Sequence, residues 1–506
     1  MASPEFVVVR GGRVLDLGSR SGRPADILIE GDTIREIGPP GLPAPAEARL
    51  IDAADRAIIP GLVNGHVHGH GTLAKGLVED RWPLELFLNA LPGLTGQRTL
   101  EDKYLNGLLA AAEMIRKGCT ACYDLFFEFP KPSREGIEAL GRAYADAGVR
   151  AVIAPMIADK TLYEAYPGLM DAIPEPLHAE VAKLRLAPYE ASADAAAAAF
   201  KDWPFDRSQI SAAIAPTIPL HCSDGFLARC KDLAREYDLP LQTHLAETKA
   251  QAVLGLRKYG TTLTAHLDEL GLLGPRFSAA HAIWLDGSDL QRLSDHGASV
   301  IHAPVSNLRF GSGLARIRPM LDMGINVGIA TDAANSSDSL NMFESTRLAS
   351  LISRVQTPDY RRWLGADEVF QMATEGSARA MGFAGRIGRV AVGYKADLVL
   401  LDLSHINYVP LHDLLTQIVF TENGGAVDGV MIGGRMVLDH GRLTTIDEAK
   451  LRADAAAASE RLSAGNADRR RLSRQLQPIV GAFCRSLSGA QHHLDRQAWA
   501  EDQGES

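Results

Sequence analysis

From residue 6 to residue 59 the chain consists of short runs in which β-branched and large apolar residues alternate with polar ones, each run ended by Gly, Pro or Asp. A period of two predicts strands over residues 6–9, 13–17, 26–30, 33–38 and 50–59. The same pattern returns over residues 393–402 and 426–439. The two ends are therefore expected to form one small composite β-sandwich, from residues 1–59 and 391–446, flanking the middle of the chain.

Between residues 60 and 390 the pattern changes. Apolar runs at 63–68, 121–126, 149–157, 210–218, 239–244, 277–284, 299–305 and 326–332 alternate with stretches of helical period, such as 100–117, 192–202, 227–237, 290–295 and 342–354. Several of these stop at a glycine, as at Gly118 and Gly148, where a left-handed residue ends a helix without strain. Eight strands alternating with helices predict an α/β fold, specifically a (β/α)8 TIM barrel with its chemistry at the carboxyl ends of the strands. Past residue 447, Ala, Arg, Glu and Gln at helical spacing predict a C-terminal helical extension over 447–506, with the basic run 469–474 on a solvated face.

Composition narrows the class. The 506 residues are 46% hydrophobic and 23% charged, enough for a large core. A net charge of -10 without a concentrated basic face argues against nucleic acid as a partner. No apolar run reaches spanning length and no signal-like start is present, so no membrane is expected and the expected location is cytoplasmic. The five cysteines are scattered without a pairing framework, which fits a reducing compartment. Cys119 and Cys122 have the spacing of a redox or zinc pair, but they lie in an apolar run with no second pair to complete a site. They read better as small buried hydrophobes.

The candidate chemistry begins at His66 and His68. On a strand they point the same way while Val67 points into packing, and neutral imidazoles are common ligands for a borderline divalent cation. The fifth predicted strand closes with Thr243-His244-Leu-Ala-Glu247, the sixth carries His281, the seventh His302, and the eighth ends in Thr331-Asp332. Each has a bland explanation: a satisfied core histidine, a helix cap at Asp332, an exposed helix start at Glu247. Packing alone rarely puts polar groups at four successive strand ends together with a histidine pair. His66, His68, His244 and Asp332 make a ligand set suited to zinc, with iron, cobalt or manganese as alternatives. A metal there lowers the pKa of a bound water from about 15.7 to roughly 7. Glu247 is placed to pass a proton to a departing nitrogen, His281 to orient the nucleophile or polarise the electrophile, and Asp332 to accept the water's proton.

These motifs, Pro60-Gly-Leu-Val-Asn-Gly-His66-Val-His68, His244-Leu-Ala-Glu-Thr248, His281-Ala-Ile-Trp-Leu285, His302-Ala-Pro-Val-Ser-Asn-Leu308 and Gly328-Ile-Ala-Thr-Asp332, resemble the series of the amidohydrolase superfamily. Within it they are most similar to the branch of cytosine deaminase, S-adenosylhomocysteine and methylthioadenosine deaminases, guanine deaminase and the triazine hydrolases. The resemblance spans about residues 5 to 445. It implies one divalent metal in a distorted barrel and hydrolysis at a ring carbon that releases ammonia, an amine or chloride. It also implies a small-molecule substrate and a homodimer or homotetramer. Residues 214–221 hold no Lys of the kind that bridges two metals in other branches, so one ion is expected. The His-Leu-Ala-Glu element resembles the deaminases, which favours deamination over dechlorination. A cyclic amide, a urea or a chlorinated heteroaromatic is the alternative substrate class. A catalytically silent scaffold, a third reading, conflicts with the retention of all four ligands and Glu247.

Two loops depart from the usual pattern and leave the substrate open. Residues 331–344 lack the Gly after the aspartate and the Asn-Asn-Asp run of adenosine-type deaminases, and residues 70–76 carry an additional His and Gly. Candidate substrate contacts are His302, Asn307, Arg309, Trp82 and His70, with His221 behind them. The crossover 158–209 is longer than minimal, and its Tyr163 and Tyr166, with Trp82 and Phe87, suit a lid, a dimer contact or plain packing.

Overall fold

The structure, a computed structural model, describes residues 5–497. The outer tips of the two end segments, 1–4 and 498–506, lie outside the described residues. The fold is α/β. One parallel sheet has the order Ala215–Pro216, Arg150–Ile157, Cys119–Phe127, Leu62–Val67, with Ile210–Ala212 also paired to Arg150–Ile157. A second has the order Leu241–Leu245, Phe277–His281, Ser299–His302, Asn326–Ile329. A parallel bridge from Ile214 to Leu241 joins them on one side. On the other side the Asp332 N–H donates to the His66 carbonyl (3.1 Å). Beside it the Asn64 amide donates to the Thr331 hydroxyl (2.7 Å) and accepts from the Thr331 N–H (3.1 Å).

These strands are buried on both faces, which is why they read as continuous apolar runs. Alternate residues still divide. Val63, Ala121, Tyr123, Leu125, Val152, Ala154, Ala213 and Ala215 pack with one another on the inner side. Cys119, Cys122, Phe126, Ala151 and Ile153 face the surrounding helices.

The two ends of the chain meet in one hydrogen-bonded sheet of nine strands. Its central pairing is Arg56–Pro60 against Leu398–Asp402, antiparallel. Val7, Val9, Ile27, Ile29, Ile58, Leu398 and Leu400 form its own core. The alternate residues Ala57, Ile59, Val399 and Leu401 join the main core instead.

Four expected strand ends shift, and each shift has a local cause. The fourth strand is in two pieces, Ile210–Ala212 and Ala215–Pro216, and stops at Pro216, which offers no N–H to prolong a ladder. The sixth stops at His281, where His281 and Ala282 take positive φ (66° and 48°). The seventh stops at His302, and Pro304 opens the helix Pro304–Arg309, a first position that proline suits. The eighth stops at Ile329, three residues short of Asp332. The insertion 158–209 supplies four helices: Leu162–Ala165, Leu169–Ala172, Glu175–Ala182 and Tyr189–Lys201.

Of the extension expected to be helical over 447–506, Glu448–Gly465 and Ala467–Ser488 form helices, residues 489–497 do not, and 498–506 lie outside the described residues. The second of these helices packs on Leu84–Thr95, a helix the sequence pattern did not reveal. Asn89 donates to the Ser473 carbonyl and accepts, through its own carbonyl, from the Ser473 hydroxyl (2.9 Å each). The basic run is satisfied internally in part: Arg471 pairs with Asp468 at 3.0 Å, and the Arg469 guanidinium lies 5.5 Å from the Phe129 ring centroid. No helix among the described residues is long and apolar enough to cross a membrane.

One buried ion pair ties the third strand to the terminal sheet. Arg150 Nε and Nη2 reach Asp397 Oδ2 and Oδ1 at 2.9 and 3.0 Å, and the Gly433 N–H also donates to Oδ1 at 2.8 Å. Removing one partner leaves the other charge buried alone, a loss of about 3–5 kcal/mol. Asp397→Ala is expected to lower the unfolding free energy from urea titration by that amount at unchanged metal content; a loss below about 1 kcal/mol would show that the pair does not hold the two parts together.

Candidate active site

The six polar residues expected at the strand ends come together. His66 lies in Leu62–Val67 and His68 directly follows it, His244 lies in Leu241–Leu245, and His281 ends Phe277–His281. Glu247 and Asp332 follow their strands by two and three residues. The ligating atoms of His66, His68 and Asp332 lie within 4.8 Å of one another, as do those of His66, His244 and His281.

The hydrogen bonds on the far side of each ring decide what faces the centre. His66 Nδ1 is 2.6 Å from Gln242 Oε1, His68 Nδ1 2.8 Å from the Leu125 carbonyl, and His244 Nδ1 2.7 Å from the Thr217 carbonyl. All three partners only accept, so each Nδ1 carries the proton and each Nε2 presents a lone pair inward. Burial, reinforced by His66, pushes the His68 imidazole down to about 4 and keeps it neutral.

The spacings fit a single cation. His68 Nε2 is 3.2 Å from His244 Nε2, and Asp332 Oδ1 is 3.5 Å from His66 Nε2 and 3.3 Å from His68 Nε2. Ligands about 2.0–2.1 Å from a tetrahedral zinc sit about 3.3 Å apart. The buried His66 Nε2 has no hydrogen-bond partner, an orphaned lone pair that a metal satisfies. Asp332 is fixed from behind, with Oδ2 accepting from Ser306 Oγ (2.6 Å) and Oδ1 from the Ala333 N–H (2.7 Å).

Glu247 and His281 face the same space. Glu247 Oε2 is 3.8 Å from His281 Nε2, and both Glu247 Oε1 and His281 Nε2 are buried and unpartnered. Burial, reinforced by the carboxylates of Asp332 and Glu85, holds Glu247 well above the usual carboxyl range. His281 Nδ1 is 2.8 Å from Asn307 Oδ1, so its Nε2 too is an acceptor. Backbone strain collects here: Ala246, His281, Ala282 and Asp332 are four of the ten non-glycine residues with positive φ among the described residues. Such strain persists where the surroundings over-determine a functional geometry.

The expected substrate contacts divide. Asn307 holds His281 from behind. His302 is buried with Nδ1 unpartnered, and burial pushes it down to about 3. His70 accepts from the Phe127 N–H through Nδ1 at 3.3 Å. Trp82 lies against a cluster of Val78, Leu84, Phe87 and Phe310. Arg309 is turned to the loop before that cluster, donating to the carbonyls of Val78, Glu79 and Asp80 and pairing with Asp338 at 3.2 Å. Tyr163 and Tyr166 are buried.

Cys119 and Cys122 are fully buried free thiols, and burial pushes Cys119 up to about 12. They pack as hydrophobes.

The sequence reading passed over the supports. Gln242 shares its strand face with His244, so a polar residue at an inward position was an available signal. Its amide also donates to the Gly65 carbonyl (3.2 Å) and Ser278 Oγ (2.9 Å). Ser306 lay inside a quoted motif. Glu85, which accepts from Thr248 Oγ1 at 2.7 Å behind Glu247, had no signal, nor had the carbonyls of Leu125 and Thr217.

A fold of this kind with such a site defines a metal-dependent hydrolase of C–N bonds. The profile of the amidohydrolase family matches residues 57–437, and the chain belongs to that family. It is 32% identical over 435 residues to the 5-methylthioadenosine/S-adenosylhomocysteine deaminase of Syntrophobacter fumaroxidans, covering 86% of this chain and 92% of that one. It is also 32% identical to the 5'-deoxyadenosine deaminase of Methanothermobacter thermautotrophicus, over 91% and 99% of the two chains. Among solved structures, an adenosine deaminase from Xanthomonas campestris with bound zinc superposes with a TM-score of 0.79 at 29% identity, over 91% of this chain and 99% of that one. An atrazine chlorohydrolase from Arthrobacter aurescens complexed with zinc gives 0.79 at 25%, over 90% and 100%.

His68→Ala is expected to lose zinc and activity together; stoichiometric zinc retained in that variant would show the ligand assignment to be wrong. Gln242→Leu leaves all ligands present but frees the His66 ring, and is expected to weaken metal affinity by about 10–100-fold in a chelator competition.

Proposed function

We propose that the protein is a metal-dependent aminohydrolase that deaminates an amino-substituted N-heterocycle, releasing ammonia or an amine. The observation that carries this reading is the pairing of Glu247 with His281 beside the ligand set: a buried carboxyl whose hold on a proton burial strengthens, 3.8 Å from an imidazole that burial favours as neutral. Deaminase relatives support it. We read the two parallel sheets as one (β/α)8 barrel over residues 60–390, and the terminal segments 1–59 and 391–446 as one small β domain beside it.

A divalent cation held by His66, His68, His244 and Asp332 supplies Lewis acidity and a water nucleophile usable at neutral pH. Zinc suits this donor set best. The chain's own groups do the rest. His281 Nε2 accepts a hydrogen bond from the attacking water and aligns its lone pair with the ring carbon. Asp332, steadied by Ser306, takes the proton that water gives up. Glu247 delivers its proton to the ring nitrogen next to the attacked carbon; the proton taken up by Asp332 passes to the departing amine, so that neutral ammonia or an amine leaves, and the hydroxyl proton of the addition product returns to Glu247 as the carbonyl forms. Burial of the whole group excludes bulk water and strengthens each of these contacts.

The likeness to an atrazine chlorohydrolase favours a second reading, displacement of chloride from the same kind of ring. A screen of amino-heterocycles, cyclic amides and chlorinated rings with separate ammonia and chloride readouts divides the two. Ammonia from an amino-heterocycle is expected; chloride release alone would favour the second. Glu247→Gln is expected to keep its zinc and lose turnover by ~10²-fold or more. Wild-type turnover in that variant would remove Glu247 from proton transfer.

A further inference from the structure

Beside the metal ligands lies a cavity that the mechanism above does not use. It has a volume of about 130 Å3 and is walled by Leu88, Leu91, Phe127, Met156, Leu162 and Ile218, among others. Its walls come from the helix Leu84–Thr95, the ends of the second to fourth strands, the insertion 158–209 and the C-terminal helix Ala467–Ser488. It adjoins the site through Thr217, which lines it and whose carbonyl accepts the His244 Nδ1 proton. Phe127 lines it too, and its N–H donates to His70.

Most polar side chains on the wall are engaged elsewhere. Tyr163 donates to Asn89 Oδ1 (2.9 Å), Thr161 to Glu164 (3.0 Å) and Thr95 to the Leu91 carbonyl (3.1 Å). Arg469 lies against the Phe129 ring, and Lys160 is partly exposed. His221 differs. It is 6% exposed, and its Nε2 has no hydrogen-bond partner.

We propose that this cavity is the subsite for one uncharged ring carried as a substituent on the substrate heterocycle, with His221 as its polar anchor. The inference rests on the deaminase reading and narrows its substrate class. The size agrees: an apolar cavity of about 150 Å3 takes a benzene ring. The wall chemistry agrees as well: the wall is mostly apolar and Tyr163, Thr161 and Thr95 already donate elsewhere, so a sugar arm would bury several hydroxyls with few groups left to pair with them. Burial, with Lys258 adding to it, pushes His221 down to about 3. The anchor is therefore neutral, a hydrogen-bond partner rather than a counter-charge.

The test uses zinc-loaded protein and three forms of one amino-heterocycle, bearing a methyl, a benzyl or a ribosyl arm, with ammonia release and calorimetric binding measured for each. The benzyl form is expected to exceed the methyl form in kcat/KM and in affinity by about tenfold or more. Ala158→Leu, which fills the cavity from its wall, is expected to bring that ratio close to one, and His221→Leu to remove any further preference for a 4-hydroxybenzyl arm. Equal kcat/KM for methyl and benzyl arms, or a ribosyl arm preferred over both, overturns the subsite and leaves the deaminase reading intact. Tight benzyl binding without ammonia release does the reverse. Neither binding nor turnover of any arm overturns both.

Discussion

Three hydrogen bonds on the outer faces of His66, His68 and His244 govern this structure. Each removes the choice of tautomer, so three Nε2 lone pairs converge with the Asp332 carboxylate on one point, and the His66 Nε2 there has no hydrogen-bond partner among the described residues. Buried lone pairs facing one another are costly unless a positive charge is placed among them. The rest of the fold can be understood as the means of keeping those acceptors together. Two of the three anchors, the Leu125 and Thr217 carbonyls, are main-chain atoms at strand ends, so the parallel sheets themselves set the ring orientations.

The strand ends are also where the chain departs from regular geometry. Positive φ at Ala246, His281, Ala282 and Asp332 bends three segments out of their ladders just where Glu247, His281 and Asp332 are presented. The hydrogen bonds from Asn64 to Thr331, from Ser306 to Asp332 and between His281 and Asn307 then hold the bent segments. The helix Leu84–Thr95 and the C-terminal helix close over one side through Asn89 and Ser473, bringing Leu88, Leu91 and Arg469 to the wall of the apolar cavity.

The candidate site was legible in the sequence because its histidines lie at the ends of apolar runs, where alternation fixes which way a side chain points. His66 and His68 could be paired on that ground alone. The strand ends themselves were less legible: the breaks after His281, His302 and Ile329 depend on tertiary hydrogen bonds and on Pro304, and a run of apolar residues continues across them. Arg309 shows the limit of residue type as a guide. A guanidinium near a site suggests an anion, yet this one holds three backbone carbonyls and Asp338. The helix Leu84–Thr95 escaped because its sequence carries an internal Pro92 and no capping side chain at its start.

The central claim is that one cation sits among four nitrogen and oxygen donors from three distant segments, and X-ray absorption at the zinc edge of the purified protein tests it most directly. One zinc per chain is predicted, with nitrogen and oxygen at about 2.0–2.1 Å and the outer-shell signature of several imidazoles. Sulfur at about 2.3 Å, or two metals per chain, would contradict it.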